Sequence, residues 1–274
     1  MKNLFFSLLF LTSLVTIAQP KIGVQLYSFR NQFAKDVPGT LEKIKAMGIT
    51  EVEGGGSYGM PFKEFKALLD KNKLKVTSVG ADYSQLETNP QEVIDNANRY
   101  GAKFVMCAWI PHNGHDFNFE EAEKAVKVFN AAGKLLKAKG ITLCYHAHGY
   151  EFTPYKDGTL FDYMAKNMNP QYANFEMDVF WVKHPGQDPV ALLKKYPGRF
   201  KMMHLKDRKR GTPGNQKGEA DVESNVVLGS GDVGIGEIMK VATKYGVQKF
   251  YIEDESSRSL EQVPQSLAYL KTVR

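Results

Sequence analysis

Residues 137–152 read KAKGITLCYHAHGYEF. A lysine-flanked helical ending is followed by one glycine, a short apolar run, and then two histidines and a glutamate. Glycine readily takes the left-handed conformation that closes a helix. The run after it is too short for a helix but has the length of a buried strand. The same punctuation recurs as KAMGIT at 45–50, NRYGAKF at 98–104 and TKYGVQKF at 243–250. Working outward from these points gives eight runs: β1 Ile22–Tyr27, β2 Ile49–Glu53, β3 Lys75–Gly80, β4 Lys103–Trp109, β5 Ile141–His148, β6 Asn174–Phe180, β7 Phe200–Lys206 and β8 Lys249–Glu253. Amphipathic segments lie between them. The clearest covers 118–139, where Phe119, Ala122, Val126, Phe129, Gly133 and Leu136 recur at three- and four-residue steps; Leu260, Val263, Leu267 and Leu270 mark another. One apolar face apiece suits helices that cover a sheet. Strands separated by helices run parallel with right-handed crossovers, and about eight such units predict a single (β/α)8 TIM barrel, an α/β fold. An open doubly wound sheet would need fewer units and a phosphate turn after β1, and neither fits.

The 274 residues are 43% hydrophobic and 24% charged. That composition excludes a disordered chain, a collagen-like repeat and a disulfide-stapled miniprotein. A formal charge of +6 is too mild an excess to predict a nucleic-acid partner. The chain opens MKNLFFSLLFLTSLVTIA, with Lys2, an apolar Leu4–Val15 stretch, and Thr16 and Ala18 at −3 and −1 of a cut before Gln19. This is the pattern of a secretory signal peptide, shorter than the roughly 20 residues of a membrane span. The expected organisation is a leader over 1–18 and one barrel over 19–274, periplasmic or secreted and without a membrane anchor. Cys107 and Cys144 fall in β4 and β5, where buried free thiols are expected over a disulfide.

In a barrel, chemistry sits at the C-terminal ends of the strands. There β2 offers Glu53, β4 offers Trp109 and His112, and β5 offers His146, His148 and Glu151. Next come Asp178 and Trp181 from β6, then His204, Lys206 and Asp207 from β7. Glu253, Asp254 and Glu255 end β8. So many polar groups on core strands need partners or a bound group. Asp178, His204 and Glu253, with an imidazole or carboxylate from β5, form a nitrogen and oxygen set suited to one divalent ion. Mn²⁺ is the expected metal, with Zn²⁺, Co²⁺ or Mg²⁺ as alternatives. The glycine-rich GSGDVGIG at 229–236 lacks the Gly-Lys-Ser/Thr ending of a phosphate loop and reads as the turn into the seventh helix. Lys206–Arg210 reads as a solvated basic loop, and the polar stretch Arg208–Val222 as a loop or lid on the active face.

From Lys21 onward the chain resembles the xylose isomerase-like TIM barrels, the sugar isomerase and epimerase group that also includes endonuclease IV. The motifs are IGVQLYSFR (22–30), YHAHGYEF (145–152), MDVFWVKHPGQDP (177–189), GRFKMMHLKD (198–207), LGSGDVGIGE (228–237) and YIEDE (251–255). The resemblance implies a divalent metal held by residues of β5 to β8. Asp178, His204 and Glu253 match the last three ligands. His146 stands where the family places a glutamate, and Glu151 is the other candidate for that position. Glu253 is the implied base, with Glu151 or His148 as its partner on the other face, and Lys206 would stabilise negative charge. Glu53, Trp109, Trp181 and Arg210 are the expected substrate-binding residues.

Such a site suits proton transfer next to a carbonyl through an enediolate. Isomerisation, epimerisation and elimination all remain open. Export points to a non-phosphorylated sugar or keto-sugar, such as a 3-keto-glycoside or related polyol, and leaves a homo-oligomer open. A DNA-repair endonuclease would need more metal ligands and a strongly basic face. A sugar-binding barrel without catalysis would have no need of Glu253 and Lys206 together.

Overall fold

The computed structural model describes residues 20–114 and 116–273; the expected leader over 1–18 lies outside them. Eight parallel strands close into one barrel in chain order: β1 Ile22–Gln25, β2 Glu51–Gly54, β3 Lys75–Gly80, β4 Phe104–Cys107, β5 Thr142–His146, β6 Ala173–Asp178, β7 Phe200–Leu205 and β8 Lys249–Ile252. The principal crossover helices are α1 Val37–Ala46, α2 Phe62–Lys71, α3 Pro90–Tyr100, α4 Phe119–Ala138, α5 Leu160–Asn167, α6 Pro189–Lys195, α7 Ile235–Ala242 and α8 Ser259–Leu270. The fold is therefore the α/β TIM barrel that the alternation predicts. No helix among the described residues is long and apolar enough to cross a membrane.

Local chemistry explains the boundaries. Asn118 and Glu121 cap the start of α4 reciprocally, each side chain accepting from the other's backbone N–H at 3.1 and 2.8 Å. At its end Gly140 takes φ +71°, as Gly101 does after α3 at φ +69°. The strand β6 stops at Asp178, two residues short of the expected run, because the Asp178 carboxylate caps a short helix over Val179–Lys183.

Side-chain alternation divides the apolar core. Phe104, Met106, Cys144, Met202 and Tyr251 form a separate cluster inside the barrel, while Cys107 belongs to the larger layer between strands and helices. Met106, not Cys107, lies opposite Cys144 in the β4–β5 register. The two thiols thus face opposite sides of the sheet and remain free and buried. Burial pushes the Cys107 thiol up to about 12, so it is inert.

Two polar stretches fold tightly. Both Asp207 carboxylate oxygens accept backbone N–H groups, from Gly229 at 2.8 Å, Gly231 at 3.0 Å and Val233 at 3.1 Å. The glycine-rich run thus wraps a carboxylate of its own chain as it turns into α7. Of the expected basic loop, Lys206, Asp207 and Arg208 are buried, and only Lys209 and Arg210 are exposed. Arg208 makes a two-pronged pair with Asp232 at 3.0 and 2.9 Å. Beyond it, Gln216 donates to the Phe152 carbonyl at 3.2 Å and Gly218 packs on Tyr150 and Trp109. Residues 209–221 therefore lie against the end of β5.

Gly133 sits inside α4, where alanine would ordinarily favour a helix by about 1 kcal/mol. Here a Cβ would drive into the Tyr172 carbonyl just before β6. Gly133→Ala should therefore destabilise the protein, by about 1–3 kcal/mol, as read from urea unfolding midpoints.

Candidate active site and metal centre

The closed barrel sets the site by register. His146 on β5 pairs with Glu176 on β6, and Asp178 pairs with His204 on β7. These side chains share the inner face at the strands' C-terminal ends. Their polar atoms converge. His146 Nε2 lies 3.7 Å from Asp178 Oδ2, and His204 Nδ1 lies 3.9 Å from the same oxygen and 3.4 Å from Glu253 Oε2. Asp178 is held in place by its other oxygen, which accepts from Phe180 N at 2.8 Å and Trp181 N at 3.2 Å. Lys206 Nζ joins the rim, 3.1 Å from Glu253 and 3.8 Å from Asp178, and donates to Glu255.

Beneath this layer lies a second one. His204 Nε2 is 2.5 Å from Glu53 Oε1, which also accepts from Gln25 Nε2 at 2.8 Å. Glu176 places Oε1 3.3 Å from His204 Nε2 and Oε2 3.6 Å from His146 Nδ1.

Both His146 nitrogens, His204 Nδ1, Asp178 Oδ2 and both Glu176 oxygens are buried without a hydrogen-bond partner. The donor atoms of His146, Asp178 and His204 lie within 4.8 Å of one another, and Glu53, Glu176 and His204 form a second such trio. Orphaned buried polar atoms of this kind call for a bound group. An imidazole and carboxylate set fits a divalent first-row ion.

Burial and neighbouring charge set the protonation. Burial, helped by His148 and His204, holds His146 well below the usual histidine range. Burial and the Lys206 ammonium lower His148 to about 4. Burial would lower His204 as well, but the carboxylates of Glu176, Glu253 and Glu53 outweigh it and raise the imidazole well above its ordinary value. Glu253 is opposed by burial yet held well below the carboxylate range by Lys206 and His204. Burial dominates at Glu176 and pushes it up.

A cleft of about 670 Å³ opens above, lined among others by Tyr27, Asp82, Asn96, Trp109, His148 and Glu255. The expected residues divide accordingly. His146, Asp178, His204, Glu253 and Lys206 come together, and His148 stacks on His146 with ring centroids 4.5 Å apart. Trp109 is 44% exposed and walls the cleft.

Four expectations are corrected. Glu151 is not brought to the cluster: its carboxylate accepts from Gly149 N at 2.8 Å, from His148 N and from the Tyr145 hydroxyl, closing its own turn. Glu53 is fully buried under His204 and does not line the cleft. Trp181 is buried as well, with Lys206 Nζ 5.5 Å from its ring centroid. Arg210 is exposed on the 209–211 turn and is absent from the cleft wall. Sequence reading missed Glu176 and Gln25. Two-residue alternation could have found Glu176, since it shares the inner face with Asp178.

Burial pushes the Glu151 carboxyl up to about 7, against the pull of Tyr145 and the backbone N–H groups. The folded protein then keeps a proton that the unfolded chain, at its ordinary value of 4.5, has already released. The stabilising contribution is complete below that value and is lost as the pH rises to about 7. Glu151→Gln keeps the shape without the titration. It should lessen the fall in stability of metal-free protein between pH 4.5 and 7 without abolishing it, because burial raises Asp178 to about 7 as well, as read from urea unfolding.

Comparison with known proteins agrees with this architecture. An inosose dehydratase of Clostridium tetani is 32% identical over 187 residues, covering 61% of this chain and 62% of that protein. Another, from Clostridium perfringens strain 13, is 26% identical over 259 residues, covering 81% and 84%. The match to the Clostridium beijerinckii inosose dehydratase spans 59% of that protein's length. A solved sugar phosphate isomerase/epimerase from Parabacteroides distasonis superposes with a TM-score of 0.77 at 26% identity, covering 95% of this chain and 97% of that one. Two more distant barrels share the fold. One is the IOLI protein with a bound zinc atom, 12% identical with a TM-score of 0.71 over 92% and 96% of the chains. The other is a Mycobacterium smegmatis protein in complex with magnesium, 17% identical with a TM-score of 0.71 over 93% and 96%. The model of the xylose isomerase-like TIM barrel matches residues 41–273. With that match spanning most of the closed barrel, the chain belongs to the xylose isomerase-like TIM barrel family.

Proposed function

We propose that this chain is a divalent-metal-dependent enzyme that moves a proton next to a carbonyl, isomerising or epimerising a non-phosphorylated sugar or keto-sugar. The convergence of unpaired His146, Asp178 and His204 donors beside a neutral His148 carries this reading. His146, Asp178, His204 and Glu253 would hold the ion. Two imidazoles and two carboxylates suit Mn²⁺, Zn²⁺ or Co²⁺ better than Mg²⁺. When bound, the cation supplies Lewis-acid polarisation of the substrate's carbonyl and adjacent hydroxyl oxygens.

The chain's own residues divide the remaining work. His148 lines the cleft, its Nδ1 is unpartnered and its low pKa keeps it unprotonated at neutral pH, so it is the group to accept the proton. Glu253, engaged with Lys206 and facing His204, serves as a ligand rather than the base. Lys206 remains an ammonium among three carboxylates and stabilises negative charge that develops above it. Trp109 offers an apolar face to the ring of a sugar.

Among the described residues no Lys or Arg lines the cleft, whereas Asp82 and Glu255 do. The cation at the rim, Lys206, is already engaged by Glu253 and Glu255, so among the described residues a phosphate group would find no free lysine or arginine there, which supports a non-phosphorylated substrate. The leader reading of residues 1–18 supports an exported enzyme with such a substrate.

Elimination is a second reading, a lyase or dehydratase acting on a 3-keto-glycoside or related polyol. Withdrawal of Glu151 into its own turn favours it, because the carboxylate expected as the second base of a two-base isomerisation or epimerisation is then engaged elsewhere. The inosose dehydratase relatives favour it too.

The first test is elemental analysis of residues 19–274, alone and as Glu253→Gln. About one divalent ion per chain is expected, weakened in the variant. A panel of sugars, keto-sugars and inososes in D₂O then separates the readings. Deuterium in an isomeric product supports isomerisation or epimerisation; a new conjugated carbonyl absorbance supports elimination. His148→Ala should keep its ion and lower kcat by about 10²–10⁴-fold. Proton exchange that persists at full rate after chelation would overturn the metal-dependent reading.

A further inference from the structure

His146 and His204 stand side by side with ring centroids 4.6 Å apart, and each has two distinct nitrogens. A histidine can donate a lone pair to a cation only from the nitrogen without a proton, and the partner of its other nitrogen decides which one that is. For His204, Nε2 meets Glu53 Oε1 at 2.5 Å, a contact that favours a proton on Nε2, and Nδ1 faces Asp178 and Glu253. His146 has no hydrogen bond on either side.

The residue that faces its back is Glu176. This carboxylate is 1% exposed, and neither of its oxygens has a hydrogen-bond partner. One oxygen is turned to His146 Nδ1 at 3.6 Å and the other to His204 Nε2 at 3.3 Å. The first distance is too long for a hydrogen bond. Among the described residues it is nevertheless the only ionic contact at that nitrogen, just as Asp178 Oδ2 is the contact at Nε2. The strand register places them so: Glu176 is the cross-strand neighbour of His146, and Asp178 lies one inward-facing step further along.

We propose that Glu176 is the positioning residue of the centre. As the carboxylate, with its charge offset by His204 and by a bound cation, it would hold the His146 proton on Nδ1, so that Nε2 presents its lone pair on the side of Asp178 and Glu253. Glu53 does the same for His204. The result is two imidazole donors with matched carboxylates behind them, a nitrogen-rich centre that prefers Zn²⁺ or Co²⁺ to Mg²⁺. This inference rests on the metal-centre reading above, and the experiment separates the two.

Co²⁺ alone is the probe, followed by its visible absorption and by competition with a chelator. Four proteins are compared: wild type, Glu176→Leu, His146→Ala and the double variant. Glu176→Leu should weaken Co²⁺ binding about 10–100-fold and shift the absorption bands to those of His146→Ala. The double variant should lose little more than either single one, because both remove the same donor. Glu176→Gln, which keeps an acceptor oxygen, should recover part of the affinity, and it replaces Glu176→Leu in the cycle if the latter fails to fold. Wild-type Mg²⁺ binding should be weaker than Co²⁺ binding. Additive losses, or a Glu176→Leu spectrum identical to wild type, would overturn the positioning role while leaving the metal centre intact. Two ions per wild-type chain, with one lost in Glu176→Leu, would make Glu176 a ligand and overturn the proposal. No Co²⁺ bound by wild type would remove the metal-centre reading itself.

Discussion

Charge held away from water governs this barrel. Glu53, Glu176, Asp178 and Glu253 are each 8% exposed or less, and they share one end of the barrel with Lys206 and two imidazoles. Isolating a carboxylate in such surroundings costs several kcal/mol unless it is paired or protonated. Lys206 answers for Glu253 and Glu255, and His204 for Glu53. Both oxygens of Glu176 and one oxygen each of Asp178 and Glu53 remain without a hydrogen bond. A closed parallel barrel can impose such crowding because every strand is fixed by two neighbours, so no strand can swing away to relieve it.

The same structure shows how a carboxylate is taken out of chemistry. Asp207 is wrapped by N–H groups of the glycine-rich turn, and Glu151 by those of its own loop. Both are buried acids just beyond strands, Asp207 saturated by backbone N–H groups and Glu151 by backbone N–H groups together with the Tyr145 hydroxyl. What distinguishes Asp178 and Glu176 is the lone pairs left over. The candidate site is therefore marked by incomplete hydrogen bonding rather than by the presence of a charged residue.

This distinction also explains how far the sequence could be read. The barrel was legible because eight apolar runs and their glycine punctuation are local signals, and each run became a strand. The convergence of His146, Asp178 and His204 was legible because two-residue alternation places them on one face. Glu151 was not, since its role depends on a tight turn at Gly149, φ +101°, that folds the carboxylate back onto the backbone. Arg210 was misplaced for a similar reason: its neighbour Arg208 is drawn inward by Asp232, a pairing across 24 residues that no local pattern reveals. Glu53 has the parity of a site residue, but depth along the barrel axis decides whether such a residue meets substrate or supports a ligand. Depth depends on stagger between strands, which one strand alone does not encode.

Asp178 divides its two oxygens between tasks, one capping the helix over Val179–Lys183 and the other turned toward His146 and His204. The cap forms with the fold, so the side chain loses its rotational freedom during folding, before any cation arrives. If a cation binds there, the entropy of ordering that carboxylate would belong to the stability of the barrel and not to the affinity of the site.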